Sequence, residues 1–164
     1  MTDTSGHSAR IDDSARIVDS DVGRSTIREF VTVHDSTVGD DCEIYERTSL
    51  KKCRIGDDVV VNAGGFLENV DVEDEVQVGP NCSVVGVTHE LSESGMKHHD
   101  DVFETILLRE GSFVGAGSVL TPGVEIGVDS VVAAGAVVTA DVGDRKLVLG
   151  SAPNQRVVDL QEWV

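Results

Sequence analysis

Cations are scarce in this sequence. Its 164 residues include 4 lysines and 9 arginines against 18 aspartates and 12 glutamates, for a formal charge of −17. Nucleic acid and anionic membranes repel such a surface, which excludes both as partners. Long apolar runs are missing as well: no segment reaches the roughly 20 apolar residues that a bilayer-crossing helix needs. The first twenty residues hold four aspartates and no apolar run, which is not the pattern of a secretory signal. Only three cysteines occur, Cys42, Cys53 and Cys82. They form no CxxC pair and no ladder of spacings, so they read as reduced thiols of a cytoplasmic protein and not as a disulfide framework.

The acids are scattered rather than gathered into a tail, so they describe a solvated surface. Like charges at this density oppose compaction in dilute buffer, and at about 1 M salt the screening length falls to roughly 3 Å. The composition therefore reads as that of a halophilic cytoplasmic protein. The length suits one domain with a real core.

What the chain does have is a beat of six. Leu108, Val114, Leu120, Ile126, Val132 and Val138 are spaced six apart, and four places after each stands a small or compact residue: Ser112, Ser118, Val124, Ser130, Ala136 and Val142. The aliphatic track continues backward through Val84, Val78, Val72, Leu67, Val61, Ile55, Leu50 and Ile44 to Ile11. Some steps shorten to five residues, as from Leu50 to Ile55 and from Leu67 to Val72. An amphipathic helix would place apolar residues three and four apart, and a half-buried strand would alternate every second residue. Six fits a short strand plus a corner. Three such units close one triangular turn whose aliphatic residues stack on the turns above and below: an all-β, parallel β-helix of about 6–7 coils. Gly115, Gly127 and Gly135 are expected where the backbone turns with positive φ.

The beat covers residues 11–142 and is interrupted by one polar segment, residues 89–101, that holds three of the five histidines, His89, His98 and His99. In a solenoid such an insertion becomes a protruding loop on one edge, a natural place for function. Residues 1–10 read as a disordered N-terminus. Residues 143–164 read as a C-terminal cap, with Pro153 opening a short helix whose apolar side is Val157, Leu160 and Trp163.

These repeats resemble the hexapeptide-transferase superfamily, which implies a left-handed coil and a homotrimer. The run PNCSVVGVTHELSESG, followed by ETILLREGSFVGAGSVLTPGVEIG, resembles the acceptor-site region of its sugar O- and N-acetyltransferases, including the galactoside and xenobiotic branches. Those enzymes carry Pro-Asn on one coil and a histidine eight residues after the Asn, the spacing of Asn81 and His89 here. They return from the loop through Ile-x-Ile-Gly, where this chain has Ile106-Leu107-Leu108-Arg109 with Arg in place of Gly. The resemblance implies acetyl-CoA as donor, a sugar or nucleotide-sugar as acceptor, direct transfer with His89 as general base, and no metal. His89 follows Thr88, which is expected to face inward, so the imidazole is expected to point out toward a cleft between subunits. An imidazole titrates at about 6.5, which suits it to accept a proton at neutral pH. Coenzyme A would lie along the backbone of Gly115 and Ala116, where the family has Gly-Ser, and of Ala134 and Thr139 in AAGAVVT. Arg156, in GSAPNQRV, would meet its phosphates.

The thiols Cys42 and Cys82 fall on the inward small-residue track and read as core. Cys53 stands beside Lys51 and Lys52, neighbours that would lower a thiol pKa. His7 and His34 have no evident partners. Two other readings use the same coil. A γ-type zinc carbonic anhydrase-like hydratase would need histidines on regular coils, and a non-enzymatic trimeric scaffold would need no looped histidine. Thermal unfolding followed by circular dichroism is expected to shift to higher temperature as sodium chloride rises from about 0.1 M to about 1 M. A midpoint that stays put or falls would remove charge repulsion from the account.

Overall fold

The computed structural model describes residues 8–163. His7 lies outside them. Short strands collect into three parallel faces. The first face runs from Arg10–Ile11 through strands such as Thr26–Ile27, Glu43–Ile44 and Val60–Val61 to Lys146–Leu149. The second runs from Arg16–Val18 to Val137–Val138, and the third from Asp21–Val22 to Glu125–Ile126, where a bridge between Ile126 and Val142 adds one more level. Among the described residues these faces hold nine, seven and six strands, the ninth being antiparallel, so the solenoid has about eight turns. That exceeds the 6–7 expected. The extra turn comes chiefly from Lys146–Leu149, which pairs parallel with Val131–Val132 and carries the coil past residue 142, and the five-residue steps add a little: the register partners Thr26, Glu43, Val60 and Gln77 are 17 residues apart.

The register explains the core. Ile27, Ile44, Val61, Val78, Val114 and Val132 are successive Cα partners on the first face, and each is 1% exposed or less. Val33, Leu50, Leu67, Val84 and Leu120 stack likewise on the second. Backbone bonds tie each turn to the next, such as Thr26 N–H to Cys42 O at 2.9 Å and Arg28 N–H to Ile44 O at 2.9 Å. Ile11, in the first turn, is 42% exposed, because no described turn lies beneath it to cover it. No helix of the described residues is long and apolar enough to cross a membrane.

The corners use glycine in two ways. Gly135 has φ +72°, the left-handed conformation expected of it. Gly115 and Gly127 do not. A Cβ on Gly115 would fall 2.5 Å from Ala134 N, so that position is glycine because the next turn passes against it. Left-handed corners are also filled by aspartates, Asp19, Asp35, Asp41, Asp58 and Asp129, and by the bulky Phe30 and Arg47. A second column of carboxylates accepts amide hydrogens from the turn below. Asp40 Oδ1 takes Arg24 N–H at 2.8 Å, Asp57 Oδ1 takes Asp40 N–H at 2.7 Å, and Asp74 Oδ1 takes Asp57 N–H at 2.8 Å.

The C-terminal segment is not the short helix expected. Arg156–Asp159 is a strand antiparallel to Lys146–Leu149, and only a single 3-10 turn, Leu160–Glu162, follows. Val157 and Trp163 are 52% and 62% exposed, so no apolar helix side forms. The edge of the first face offers free backbone groups, and pairing with them satisfies more of this segment than an isolated turn of helix would.

Cys42, Cys53 and Cys82 are all buried. Burial pushes the Cys53 thiol up to about 11, the opposite of the lowering expected from Lys51 and Lys52, because those side chains lie outside the coil and the sulfur lies within it. A folded pKa above the unfolded one means this thiol costs stability as pH climbs from about 9 toward about 11. At pH 8 an aromatic disulfide reagent is expected to leave Cys53 unmodified in the folded protein and to titrate it after denaturation. Rapid labelling of the native thiol would contradict the burial. Leu67→Ala should lower the unfolding free energy by about 2–5 kcal/mol. The buried serines split: Ser130 Oγ donates to Gly143 O at 2.7 Å and accepts Lys146 N–H at 2.9 Å, whereas Ser112 Oγ has no protein partner. Ser130→Ala should therefore cost about 1–3 kcal/mol and Ser112→Ala close to nothing, measured by denaturant unfolding.

Candidate active site

The polar interruption is an arm, not a loop. Val87–Ser92 and Gly95–Phe103 pair antiparallel, reversing at Glu93 and Ser94 with Gly95 at φ +104°. Ser92 Oγ donates to Gly95 O at 3.0 Å across the reversal. The arm leaves where the second face ends, after Ser83–Val85, and the chain rejoins the third face at Ile106–Leu108. Thr88, expected to point into the coil, lies instead on the arm, paired with Val102, because the chain has left the coil after Ser83–Val85 and rejoins it only at Ile106–Leu108. His89 thus stands in the third residue pair of the arm.

Across the pair from His89 stands Asp101, and His89 Nδ1 lies 3.1 Å from Asp101 Oδ1. Both side chains are about half exposed. The base of the arm rests on the coil: the Lys52 ammonium sits 4.5 Å from the centroid of the Phe103 ring. Next to it Lys51 Nζ meets Glu68 Oε1 at 2.7 Å. Glu68, with Asp101 and Asp35 contributing less, holds the Lys51 ammonium above the ordinary lysine range. Asp101 escaped the sequence reading. It is twelve residues from His89, and only the register of the arm makes them neighbours. His98 and His99 lie on the second strand of the arm, and His34 ends a second-face strand, Thr32–His34.

The residues assigned to coenzyme A divide into two groups. Gly115, Ala116 and Ala134 meet at the corner between the first and second faces: Gly115 packs under Ala134, and Gly135 N–H donates to Ala116 O at 2.8 Å. Ala116 and Ala134 are exposed there. Arg156 pairs with Leu149 at the same end of the first face, and its neighbour Gln155 ties the segment to the second face by donating to Val137 O at 2.7 Å. Thr139 is elsewhere. It follows Val137–Val138, at the opposite edge of the second face, on the order of 10 Å from Ala134. That is the edge from which the arm departs, about 10 Å lower along the axis.

Arg109, the residue in the place of a family glycine, is accommodated by its neighbours. Its Nη1 meets Glu73 Oε1 at 2.8 Å and its Nε meets Glu125 Oε1 at 2.8 Å, while Glu73 Oε2 accepts Glu110 N–H at 2.9 Å. Glu73 follows Val72, the register partner of Leu108, so the two large side chains stack outward together. Those contacts raise the arginine pKa and hold the Glu73 carboxyl below its usual range, Arg109 being the larger cause. Among the residues whose side chains are described, no group of three or more His, Cys, Asp or Glu is arranged to hold a metal ion.

The family described as hexapeptide repeat of succinyl-transferase matches residues 110–140. The bifunctional protein GlmU of Thermosynechococcus vestitus is 33% identical over 137 residues, which cover 82% of this chain and 28% of GlmU. Galactoside O-acetyltransferase of Lactococcus lactis is 29% identical over 123 residues, 71% of this chain and 59% of that enzyme. The chain therefore spans less than two thirds of either curated relative. A crystal structure of a mutant of AntD, an N-acyltransferase from Bacillus cereus, in complex with dTDP-4-amino-4,6-dideoxyglucose and coenzyme A, superposes with a TM-score of 0.63 over 94% of this chain and 84% of that one at 17% identity. At that identity the likeness establishes the fold. The chain is thus similar to GlmU and galactoside O-acetyltransferase, carries the hexapeptide repeat over residues 110–140, and has the left-handed parallel β-helix fold.

Proposed function

We propose that this chain is an acetyl-CoA-dependent O- or N-acetyltransferase of the cytoplasm, acting on a sugar or nucleotide-sugar, with His89 as general base. The observation that carries the reading is the arm itself, which holds an imidazole clear of the coil at one edge of the second face, with its Nδ1 3.1 Å from a carboxylate oxygen. The kinship to galactoside O-acetyltransferase and the fold shared with a coenzyme A-bound, sugar-nucleotide-bound N-acyltransferase support it. Neither a zinc hydratase nor a passive scaffold calls for such an arm.

In the proposed reaction His89 Nε2 takes the proton of an acceptor hydroxyl or amine as that oxygen or nitrogen attacks the thioester carbonyl carbon. The carbonyl electrons move onto oxygen, where backbone N–H groups stabilise the charge. Collapse re-forms the carbonyl and breaks the C–S bond. The imidazolium returns its proton to the departing thiolate, so acetylated acceptor and free coenzyme A leave and the histidine is neutral again. Ala116 and Ala134 would line the pantetheine arm, where their small side chains permit close approach, with Gly115 packed beneath them, and Arg156 would meet the phosphates.

Within one chain the His89–Thr139 edge and the Gly115–Ala134–Arg156 corner stand at opposite sides of the second face. A homotrimer that sets the edge of one protomer against the corner of the next would bring them to one groove, and we propose that assembly. Exposed Phe66 and Val119 on the second face and Phe113 on the first are apolar surface for such contacts. Thiol release from acetyl-CoA, assayed in about 1 M salt across amino sugars, nucleotide sugars and galactosides, should reveal an acceptor. His89→Ala should cut kcat for it by about 10²–10⁴-fold with the fold intact by circular dichroism. Turnover that survives this exchange would end the proposal for His89.

A further inference from the structure

We infer that Asn69 is a positioning residue: its one side chain fastens both roots of the arm to the coil and so fixes where His89 stands. The kinetic consequence rests on the reading of His89 as the base; the fastening itself does not. The arm leaves the coil at Gly86 and returns at Glu104 and Thr105, on the edge where the second face ends. Asn69 occupies that edge one turn below, following Glu68, the register partner of Val85. Its Nδ2 donates to Gly86 O at 2.8 Å, on the outgoing root, and its Oδ1 accepts the Thr105 hydroxyl at 3.3 Å, on the returning root. Its backbone carbonyl accepts Ile106 N–H at 3.2 Å, where the third face resumes, and its own N–H donates to Lys51 O at 2.9 Å, in the turn beneath. Gly86 O takes a second hydrogen from Glu104 N–H at 2.9 Å, which ties the two roots to each other.

The local chemistry fits Asn69 to this task. It has φ +56°, the left-handed conformation of a corner, which asparagine tolerates. Gly86 is buried against it: a Cβ there would fall 2.4 Å from Asn69 O and 2.7 Å from Glu104 O, so the outgoing root passes at a distance that no side chain permits. An amide both donates and accepts, and both capacities are used here. A carboxylate of the same shape would set an oxygen against the Gly86 carbonyl. Leverage carries the effect outward. His89 is three residues beyond Gly86, about 10 Å of extended chain. A tilt of about 10° at the root swings it by roughly 2 Å over that length. A misplacement of about 1 Å is enough to cost a reaction on the order of 100-fold. Asn69 therefore acts on the chemistry through the arm, without touching the reacting atoms.

The experiment uses the full-length protein and the variants Asn69→Gly, Asn69→Asp and Thr105→Val, with His89→Ala for reference. Glycine removes the side chain yet accepts the left-handed backbone, and aspartate keeps the shape but removes the donor. Hydrogen exchange followed by mass spectrometry should quicken over residues 86–106 in both Asn69 variants, while the strands of the lower turns, residues 26–50, exchange as before. In both, kcat should fall by about 10–100-fold with KM for acetyl-CoA within about twofold. Thr105→Val should lose less, and adding it to Asn69→Gly should cost little more, since both remove the same clasp. Unchanged exchange in the arm of both Asn69 variants would overturn the inference. Faster exchange spread through the whole coil would also overturn it, since that marks a merely structural role. So would a kcat that stays put while His89→Ala abolishes turnover, and the base assignment would then stand alone. If His89→Ala keeps full turnover, the base assignment falls, and the exchange measurement by itself decides whether Asn69 fastens the arm.

Discussion

Between the end turns, every inward aliphatic side chain of this coil has one equivalent above and one below, and little else to bury against. The whole molecule depends on that stacking. A single turn is too thin to enclose an apolar interior, so stability comes from contact between successive turns and accumulates along the axis. It also dictates where variation is tolerated. Length changes inside a turn would move every later residue off its stack, except where a corner absorbs a one-residue difference, as between five- and six-residue steps. A larger insertion must leave the coil and come back at the same place. The arm of residues 87–103 does so, departing from the second face and rejoining the third with Val72 and Leu108 still in register.

The same stacking gives the acidic composition a second meaning. Read as composition alone, the aspartates are a solvated, repelling surface. Several are instead corner residues in the left-handed conformation, which a short polar side chain tolerates better than most. Others accept amide hydrogens from the adjacent turn in a column through Asp40, Asp57 and Asp74. The backbone N–H of Arg24, reinforced by its guanidinium, holds the Asp40 carboxyl below its usual range. Part of the negative charge is therefore a requirement of the corners.

Rigidity of the coil and reach of the arm divide the proposed chemistry between them. Ala116 and Ala134 stand on a surface that cannot shift without disturbing the turns stacked on it. His89 and Asp101 are carried on a two-stranded ribbon whose base meets the coil where Lys52 lies over the Phe103 ring. Such a ribbon is marginal alone and gains its order from pairing and from that footing. A reaction that needs a fixed donor and an accommodating acceptor is served by this division, since the acceptor pocket can be altered without touching the core.

The beat of six by itself determined the coil, its aliphatic stacks and the burial of Cys42 and Cys82, because spacing along the chain is the only information that stacking requires. It also marked residues 89–101 as the departure from that pattern, and His89 within it. Other features were decided only in three dimensions. The pairing of His89 with Asp101 depends on an antiparallel register, and the glycine at 115 on how near the next turn passes. The strand at Arg156–Asp159 depends on an open sheet edge that exists only once the first face has formed, and the thiol of Cys53 is governed by burial that its lysine neighbours in sequence do not reveal. In each case the deciding partner lies far along the chain or in another turn, and distance through space is what one-dimensional spacing does not carry.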